Sequence, residues 1–349
     1  MPPREKIPVG ILGATGAVGQ RFARLLAGHP WFEVTAVAAS ERSAGRRYVD
    51  ACRWVIPGDP PADIADKVVQ PLEPNLPVRI LFSALPTAVA REIEPAFAEA
   101  GHLLCSNASA YRNVPDVPLL IPEINGDHVA LVDHQRAQRG WPGLIVTSPN
   151  CTVTGPAMAL KPLHQAFGLR KVFMSSMQAT SGAGYPGVSS LDILDNVVPY
   201  IPGEEEKFQQ ELRKLLGVFV GDRITRTDIT VSAHANRVPV LDGHTVSLSV
   251  GFDSAPSPED AMAVLRDYRP VTAGLPSSPS KLIFVRTEQD RPQPRRDRDA
   301  AGGMAVSVGR IRPCPILDLR MITVVHNTLR GAASGAVLNA ELLVSAGYL

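Results

Sequence analysis

A reactive cysteine is the first candidate for chemistry in this sequence. The stretch Ser-Pro-Asn-Cys-Thr at residues 148–152 stands between an apolar run that predicts a strand and a run that predicts a helix. A helix N-terminus lowers the pKa of a thiol, and the thiolate is the attacking form. Asn150 offers a donor to a developing oxyanion. We predict that Cys151 is a catalytic nucleophile. Simple packing is the alternative for any thiol, and we expect it for Cys52, Cys105 and Cys314.

A second stretch supplies an arginine and a histidine seven residues apart. It reads Arg-Val-Pro-Val-Leu-Asp-Gly-His-Thr at residues 237–245. A guanidinium group binds a carboxylate with two parallel hydrogen bonds, and an imidazole is a natural general acid or base. His244 follows the turn signal Asp242-Gly243 and begins a predicted strand, which can aim its side chain at a neighbouring site. Without the cysteine, a surface or structural role is the ordinary interpretation of such a histidine.

A glycine-rich turn opens the chain. Glycines at 13, 16 and 19 follow an apolar run over residues 7–12, which itself contains Gly10, and precede an amphipathic run over 20–27. Glycine permits a tight turn, and it lets a pyrophosphate approach the N–H groups at a helix start. We predict a dinucleotide-binding turn, the alternative being a tight turn without a ligand. The predicted contacts are Gly13, Thr15, Gly16, Ala17 and Val18.

The end of the next predicted strand indicates which dinucleotide binds. An acidic side chain at this place holds the 2′-hydroxyl of NAD. Residues 39–46 read Ala-Ser-Glu-Arg-Ser-Ala-Gly-Arg, whose hydroxyls and arginines suit a 2′-phosphate. We therefore predict NADP as the cofactor. Glu41 argues for NAD, and a solvated charged loop is the alternative to both.

Composition excludes several classes of protein. The 349 residues are 45% hydrophobic and carry a net charge of +1, which excludes a strongly basic nucleic-acid binder and an acidic disordered chain. No apolar run is long enough for a membrane span, and residues 1–6 lack a signal-peptide core. The cysteines form no Cys-x-x-Cys pair, which argues against zinc and disulfides. We expect a cytoplasmic protein with no metal, no nucleic-acid partner and no membrane contact.

Alternating strands and helices predict an α/β fold with two domains. Residues 1–150 are predicted to form a doubly wound, Rossmann-type NADP-binding domain, completed by a closing helix in 327–349. Residues 151–326 are predicted as an α+β domain with a mixed, largely antiparallel sheet. Its strands at 228–240 and 244–252 are joined through the Asp242-Gly243 turn, and 289–303 is expected to be a loop.

These stretches together resemble the aspartate-semialdehyde dehydrogenase family, particularly its archaeal and fungal branch. The resemblance implies reduction of L-4-aspartyl phosphate by NADPH to aspartate 4-semialdehyde, with release of phosphate. It also implies biosynthesis of lysine, threonine and methionine, a second domain that is catalytic and dimerising, and a homodimer or homotetramer. The matching stretches span nearly the whole chain in the family's order: 13–19, 148–152, 178–184, 201–207 and 237–245.

The resemblance also implies roles for individual residues. Cys151 would attack the acyl phosphate and form a thioester, and His244 would act as the acid and base. Gln178 would orient the acyl group, and Arg237 would bind the α-carboxylate. A glutamate of 204–206, of which we favour Glu205, would hold the amino group. The phosphate would bind Arg112, Asn150 and Lys207, and the cofactor would meet Ser40, Arg42, Ser43, Ser83, Gly182 and Asn327.

The charges of the candidate residues support this substrate, and other functions stay open. An arginine, a glutamate and a second cationic cluster match its carboxylate, ammonium and phosphate. A malonyl- or succinyl-CoA reductase would keep the cysteine, histidine and NADP turn but would need no contact to an amino group. N-acetyl-γ-glutamyl-phosphate reductase matches 204–207 less well. A non-catalytic NADP-binding redox sensor would not need the arginine and histidine. The arginine-rich segment 291–298 has no assigned role.

Overall fold

The computed structural model describes residues 3, 5–270, 272 and 274–349. Residues 1, 2 and 4 of the predicted first domain, and 271 and 273 of the second, lie outside the described residues. Two large sheets, of five and six strands, form the frame of the described chain.

The first sheet contains strands in the order β2-β1-β3-β4-β5, and all neighbouring strands are parallel. Every residue of β3, β4 and β5 is buried, as expected for strands covered on both faces. The chain order reverses between β1 and β3, and ligands bind at the carboxyl ends of strands at such a point. The elements are β1 (Ile7–Leu12), α1 (Ala17–Leu26), β2 (Phe32–Ala38), α2 (Tyr48–Ala51), α3 (Ala62–Ala65), β3 (Ile80–Ser83), α4 (Thr87–Glu99), β4 (Leu103–Ser106), α5 (Pro122–Asn125), α6 (Leu131–Arg139) and β5 (Leu144–Thr147).

The second sheet is mixed, with the order β11-β12-β13-β10-β6-β9, and β7 pairs with β8 in a separate ribbon. The pairs β6–β10, β10–β13 and β12–β13 are antiparallel, whereas β6–β9 and β11–β12 are parallel. The predicted α/β fold class, with a Rossmann-type sheet and a largely antiparallel second sheet, is confirmed. The elements are α7 (Cys151–Phe167), β6 (Leu169–Gln178), α8 (Ser190–Ile193), α9 (Glu204–Leu215), β7 (Val218–Phe219), β8 (Ile224–Thr225), β9 (Thr230–Arg237), β10 (His244–Phe252), α10 (Pro258–Asp267), β11 (Ile283–Arg286), α11 (Pro294–Asp297), β12 (Val306–Pro313), β13 (Leu319–Val325) and α12 (Ser334–Ser345).

Helix α7, which begins with the candidate nucleophile, packs against an apolar core. Leu160 and Leu163 of this helix are fully buried in one cluster with Leu212 of α9 and Leu248 of β10. Each fully buried leucine contributes about 2 kcal/mol by leaving water. Because α9 and β10 pack against α7 in this core, the first residue of α7 has a fixed position relative to both elements.

The end of the chain returns to the first sheet, as the predicted closing helix requires. A π-helical turn over Leu329–Ala333 leads into α12. Val337 and Leu343 of α12 lie in the apolar cluster of Val9 and Ile11 from β1. This packing supports assigning 327–349 to the first domain. The division between residues 150 and 151 stays a prediction.

The chain bends at Asp242-Gly243, but the predicted tight turn between adjacent strands is wrong, because β9 and β10 are not neighbours in the sheet. Gly243 has φ +101°, which favours glycine. Strand β6 lies between β9 and β10 and pairs with both. The turn therefore crosses over the end of β6 and delivers His244 to the middle of the sheet.

Candidate active site

A cavity of about 1140 Å³ lies between the carboxyl ends of the first sheet and the start of α7. It brings together ten of the predicted site residues: Ala17, Val18, Arg112, Asn150, Cys151, Gln178, Gly182, Lys207, Arg237 and Asn327. The cavity wall does not include Gly13, Thr15, Gly16, Ser40, Arg42, Ser43, Ser83, Glu205 or His244. Among the described residues, no group of three or more histidine, cysteine or acidic side chains could hold a metal ion.

Cys151 and His244 form a close pair at one wall of this cavity. Cys151 is the first residue of α7, and Asn150 caps the helix by accepting a hydrogen bond from the Thr152 backbone. The Cys151 Sγ lies 3.2 Å from His244 Nε2, and the histidine is fully buried behind it. The backbone N–H of Ala179 donates to His244 Nδ1 at 3.0 Å. Because a ring nitrogen that accepts carries no proton, the neutral ring holds its proton on Nε2, facing the sulfur.

Burial favours the neutral form of both members of this pair. Desolvation, followed by the charge of Glu204, raises the pKa of the Cys151 thiol to about 11, against the opposing charges of Arg112 and Arg237. Desolvation, followed by the charge of Arg237, lowers the pKa of His244 to about 3. The lowering expected of a thiol at a helix N-terminus is therefore outweighed by the loss of water around the sulfur.

Gln178 and Arg237 stand side by side because of strand register. They are the last residues of β6 and β9, and these parallel strands pair Gln178 directly with Arg237. Arg237 Nη1 donates to the Ala179 carbonyl at 2.8 Å, which orients the guanidinium towards the cavity. Such a fixed, planar cation is suited to a carboxylate.

Glu204 faces the cavity, whereas Glu205 turns away from it. Glu204 accepts hydrogen bonds from Asn150 Nδ2 and Lys207 Nζ, each at 2.9 Å. Glu205 accepts one from the Ala235 backbone at 3.0 Å. Successive residues of a helix point about 100° apart, so Glu204 and Glu205 have different partners although they are adjacent in the chain. Glu204, and not the Glu205 preferred from the sequence, is therefore the member of this run that lines the cavity.

Arg112 is held by a glutamate that the sequence does not single out. Its Nη1 lies 3.1 Å from Glu211 Oε1, and its Nη2 donates to the Asn107 carbonyl at 2.7 Å. The spacing of Glu204, Lys207 and Glu211 places all three on one face of α9. That spacing is the signal that could have indicated Glu211.

The glycine turn has the shape and the free donors that a pyrophosphate needs. Gly13 has φ +75°, and a Cβ there would lie 2.8 Å from the Ala84 carbonyl. Gly16 precedes α1 without a side-chain cap, which leaves the first N–H groups of the helix for an anion. Because Ala17 and Val18 line the cavity beside Cys151, a dinucleotide held here fits the same site.

The other predicted cofactor residues differ in accessibility. Ser40 and Arg42 are exposed in the loop after β2, and Ser43 is buried. Ser83 is fully buried at the end of β3, where its carbonyl accepts from the Asn107 backbone. The side-chain amide of Asn327 forms two hydrogen bonds within the protein: its Oδ1 accepts from the Gly243 backbone N–H, and its Nδ2 donates to the Ser181 hydroxyl.

The arginine-rich segment supports the turn that precedes His244. This segment, expected to be a loop, contains the short helix α11. The Asp297 carboxylate is fully buried and binds Arg291 at 2.5 Å and Arg286 at 2.8 Å. Arg298 then donates to the Asp242 carbonyl at 2.9 Å. The segment therefore has a structural contact to the histidine turn that its sequence did not reveal.

Gly331 permits the close approach of the π-helical turn to Cys151, the candidate nucleophile. A Cβ at Gly331 would lie 2.8 Å from Cys151 Cβ and 3.0 Å from Cys151 Cα. We expect Gly331→Ala to displace Cys151 and to lower kcat roughly 5- to 150-fold, which corresponds to an overpacking effect of about 1–3 kcal/mol. Steady-state kinetics will measure it.

Gly251→Ala is the matched control, because its nearest neighbours lie at 3.6 Å and its backbone needs no positive φ. Equal kcat values for the two alanine variants would show that the approach to Cys151 has no catalytic importance.

Comparisons with known proteins agree with this geometry. Residues 8–132 match the family model described as semialdehyde dehydrogenase, NAD binding domain, and residues 160–330 match semialdehyde dehydrogenase, dimerisation domain. The aspartate-semialdehyde dehydrogenase of Archaeoglobus fulgidus is 52% identical over 96% of this chain and 97% of its own. The chain belongs to the aspartate-semialdehyde dehydrogenase family. The resemblance inferred from the sequence motifs is confirmed.

Solved members of the aspartate-semialdehyde dehydrogenase family share the whole fold. The Candida albicans enzyme, crystallised with NADP, superposes with a TM-score of 0.92 at 42% identity, covering 99% of this chain and 100% of its own. An aspartate-semialdehyde dehydrogenase II from Vibrio cholerae, complexed with ASA, has a TM-score of 0.76 at 26% identity, covering 98% and 99%. Within the described part of the chain, no helix is both long and apolar enough to cross a membrane.

Proposed function

We propose that this chain reduces L-4-aspartyl phosphate to L-aspartate 4-semialdehyde with NADPH, through a thioester on Cys151. The observation that carries the proposal is the set of charges around the thiol. Arg237, Glu204 and the pair Arg112 and Lys207 line one cavity with Cys151. They supply a partner for each charged group of an amino acid that carries an acyl phosphate.

Substrate binding follows from these charges. Arg237 binds the α-carboxylate with its open guanidinium edge, and Glu204 accepts from the ammonium group. The phosphate lies between Arg112 and Lys207. A CoA thioester has no α-ammonium group and would leave Glu204 without a use, so the reductase of a CoA substrate is disfavoured. A redox sensor is disfavoured because it needs none of these charged groups.

The thiol chemistry begins when Cys151 Sγ attacks the C4 carbonyl carbon. The new C–S bond replaces the C–O bond to phosphate, and the thiol proton leaves with the phosphate dianion. Arg112 and Lys207 stabilise the departing charge. When the phosphate group of the substrate is bound, Arg112 and Lys207 pair with its negative charge. They then no longer stabilise a thiolate on Cys151. Gln178, at the end of β6, orients the acyl group.

His244 acts at the sulfur through its Nε2 proton. NADPH, when bound at the glycine turn, supplies the hydride that reduces the thioester. Hydride addition leaves an oxyanion on the former carbonyl carbon, which re-forms the C=O bond and expels the Cys151 sulfur as a thiolate. The Nε2–H group at 3.2 Å donates a hydrogen bond to this sulfur, and a proton from solvent restores the thiol. The Ala179 N–H holds the ring in this tautomer, so His244 presents the same donor in both directions of the reaction.

The wider assignments are also proposals. We place the enzyme in the cytoplasm, in the biosynthesis of lysine, threonine and methionine, and as a homodimer or homotetramer. The match of residues 160–330 to a dimerisation domain supports assembly. We further propose that residues 1–150 with 327–349 bind NADP and that 151–326 form the catalytic and dimerisation domain. The hydroxyls of Ser40 and Ser43 and the guanidinium of Arg42 would meet the 2′-phosphate.

Phosphate dependence tests the proposed reaction. In the reverse direction, NADP⁺ reduction with aspartate semialdehyde should require inorganic phosphate, because phosphate must cleave the thioester. Absorbance of NADPH at increasing phosphate concentration measures this. Replacement of phosphate by CoA is the control, and turnover that needs CoA or neither compound would overturn the proposal.

A further inference from the structure

Glu211 lies beneath the cavity wall, and it joins two parts of the predicted phosphate site. Its side chain is 1% exposed. One carboxylate oxygen lies 3.1 Å from Arg112 Nη1, and the other accepts from the backbone N–H of Asn150 at 2.6 Å. Asn150 immediately precedes the nucleophile and caps its helix. A single carboxylate therefore spans from a phosphate-binding cation to the turn that carries Cys151.

The neighbouring turn of α9 strengthens this connection. Lys214 is buried, and its ammonium donates to the backbone carbonyls of Arg112, Val114 and Val117 at 2.6–2.9 Å. The backbone of Arg112 is thereby attached to α9 through Lys214, and its side chain through Glu211. Both contacts lie on the helix face that carries Glu204 and Lys207 into the cavity.

Arg112 keeps guanidinium N–H groups beyond those that bind Glu211 and Asn107. Its Nη1 and Nη2 face Glu211 and the Asn107 carbonyl, while its Nε is buried and makes no hydrogen bond to any described residue. Arg112 lines the cavity and Glu211 does not. Glu211 can therefore act on a bound anion only through the orientation of Arg112 and of the Asn150 turn.

We propose that Glu211 is a positioning residue for phosphate, holding Arg112 at a fixed distance from Cys151. The inference rests on the proposed function, since it concerns the phosphate of that reaction. Glu211→Gln keeps the shape of the side chain but removes its charge. Loss of one charge-assisted hydrogen bond corresponds to about tenfold in affinity, so we expect the KM for inorganic phosphate to rise about tenfold. The KM values for aspartate semialdehyde and NADP⁺ should stay within about twofold of the unchanged enzyme.

The matched control is Glu341→Gln. Glu341 is also fully buried, and it binds His29 and Ser277 away from the cavity. If loss of a buried carboxylate merely loosens the fold, both variants will change all three KM values alike. A selective change in the phosphate KM of Glu211→Gln supports positioning, and a change shared with Glu341→Gln overturns it.

A double-mutant cycle tests whether Glu211 acts through Arg112. Arg112→Lys alone should raise the phosphate KM, and adding Glu211→Gln should raise it by much less than tenfold further. Fully multiplicative effects would overturn the inference. If Glu211→Gln does not fold, Glu211→Asp decides, since it keeps the charge but withdraws it from Arg112, and an unchanged phosphate KM overturns the inference. Absence of phosphate-dependent turnover in the unchanged enzyme overturns the proposed function itself.

Discussion

Replacement of Cys151 by alanine is expected to lower kcat at least about 10⁴-fold while NADP binding is unchanged. The proposed reaction depends on a covalent bond to Sγ, and among the described residues no other thiol lies in the cavity wall. The helix start at Cys151 tolerates alanine without a steric conflict. Phosphate-dependent formation of NADPH measures turnover, and fluorescence titration with NADPH measures cofactor affinity.

Cys314→Ala is the control for this variant, because Cys314 is buried away from the cavity. It should retain near-normal turnover, and substantial turnover in Cys151→Ala would refute the thioester mechanism.

The thiol of Cys151 has a second observable property. Since its pKa is raised to about 11 without substrate, alkylation of Cys151 by iodoacetamide should accelerate with rising pH through the neutral range, with no plateau below about pH 10.

Arg237→Lys is expected to lower kcat/KM for aspartate semialdehyde about 100-fold, mainly through KM. A lysine is a point charge and cannot make the two parallel hydrogen bonds of a guanidinium group. It would also lose the contact of Nη1 with the Ala179 carbonyl, which holds the cation in place. Because the α-carboxylate is bound before and during the reaction, the loss should appear in substrate affinity more than in kcat.

Arg223→Lys is the matched control, since that guanidinium group is exposed and pairs with Asp222. The KM for phosphate should be unchanged in both variants. If the KM for phosphate rises in Arg237→Lys while that for aspartate semialdehyde is unchanged, Arg237 belongs to the phosphate site and its assigned role is wrong.

Local features of the fold follow closely from the sequence. The apolar run, the glycine turn and the following helix predict the unit β1–α1–β2, because each depends on residues within a few positions. The strand His244–Phe252 has the predicted bounds. Strand neighbours are different, because β6 enters between β9 and β10 from far away in the chain.

The choice between Glu204 and Glu205 shows a feature of the site that the sequence pattern does not predict. Both are acidic residues in the first turn of α9, and their chemistry is the same. The rotation of the helix about its axis separates them, and that rotation is set by the burial of Phe208 and Leu212 in the core. An acidic run therefore predicts the presence of a carboxylate in the site but not which carboxylate it is.

Sequence alone predicted the candidate reactive groups of this protein: a cysteine at a helix start, an arginine and a histidine at a fixed spacing, and a glycine turn for a dinucleotide. These are properties of residue type and short-range spacing. The tertiary structure decided how they act. The burial of His244, its tautomer set by Ala179, and the support of Arg112 by Glu211 all depend on contacts between distant segments. Desolvation and directed hydrogen bonds exist only once those segments are packed together, and so no local pattern encodes them.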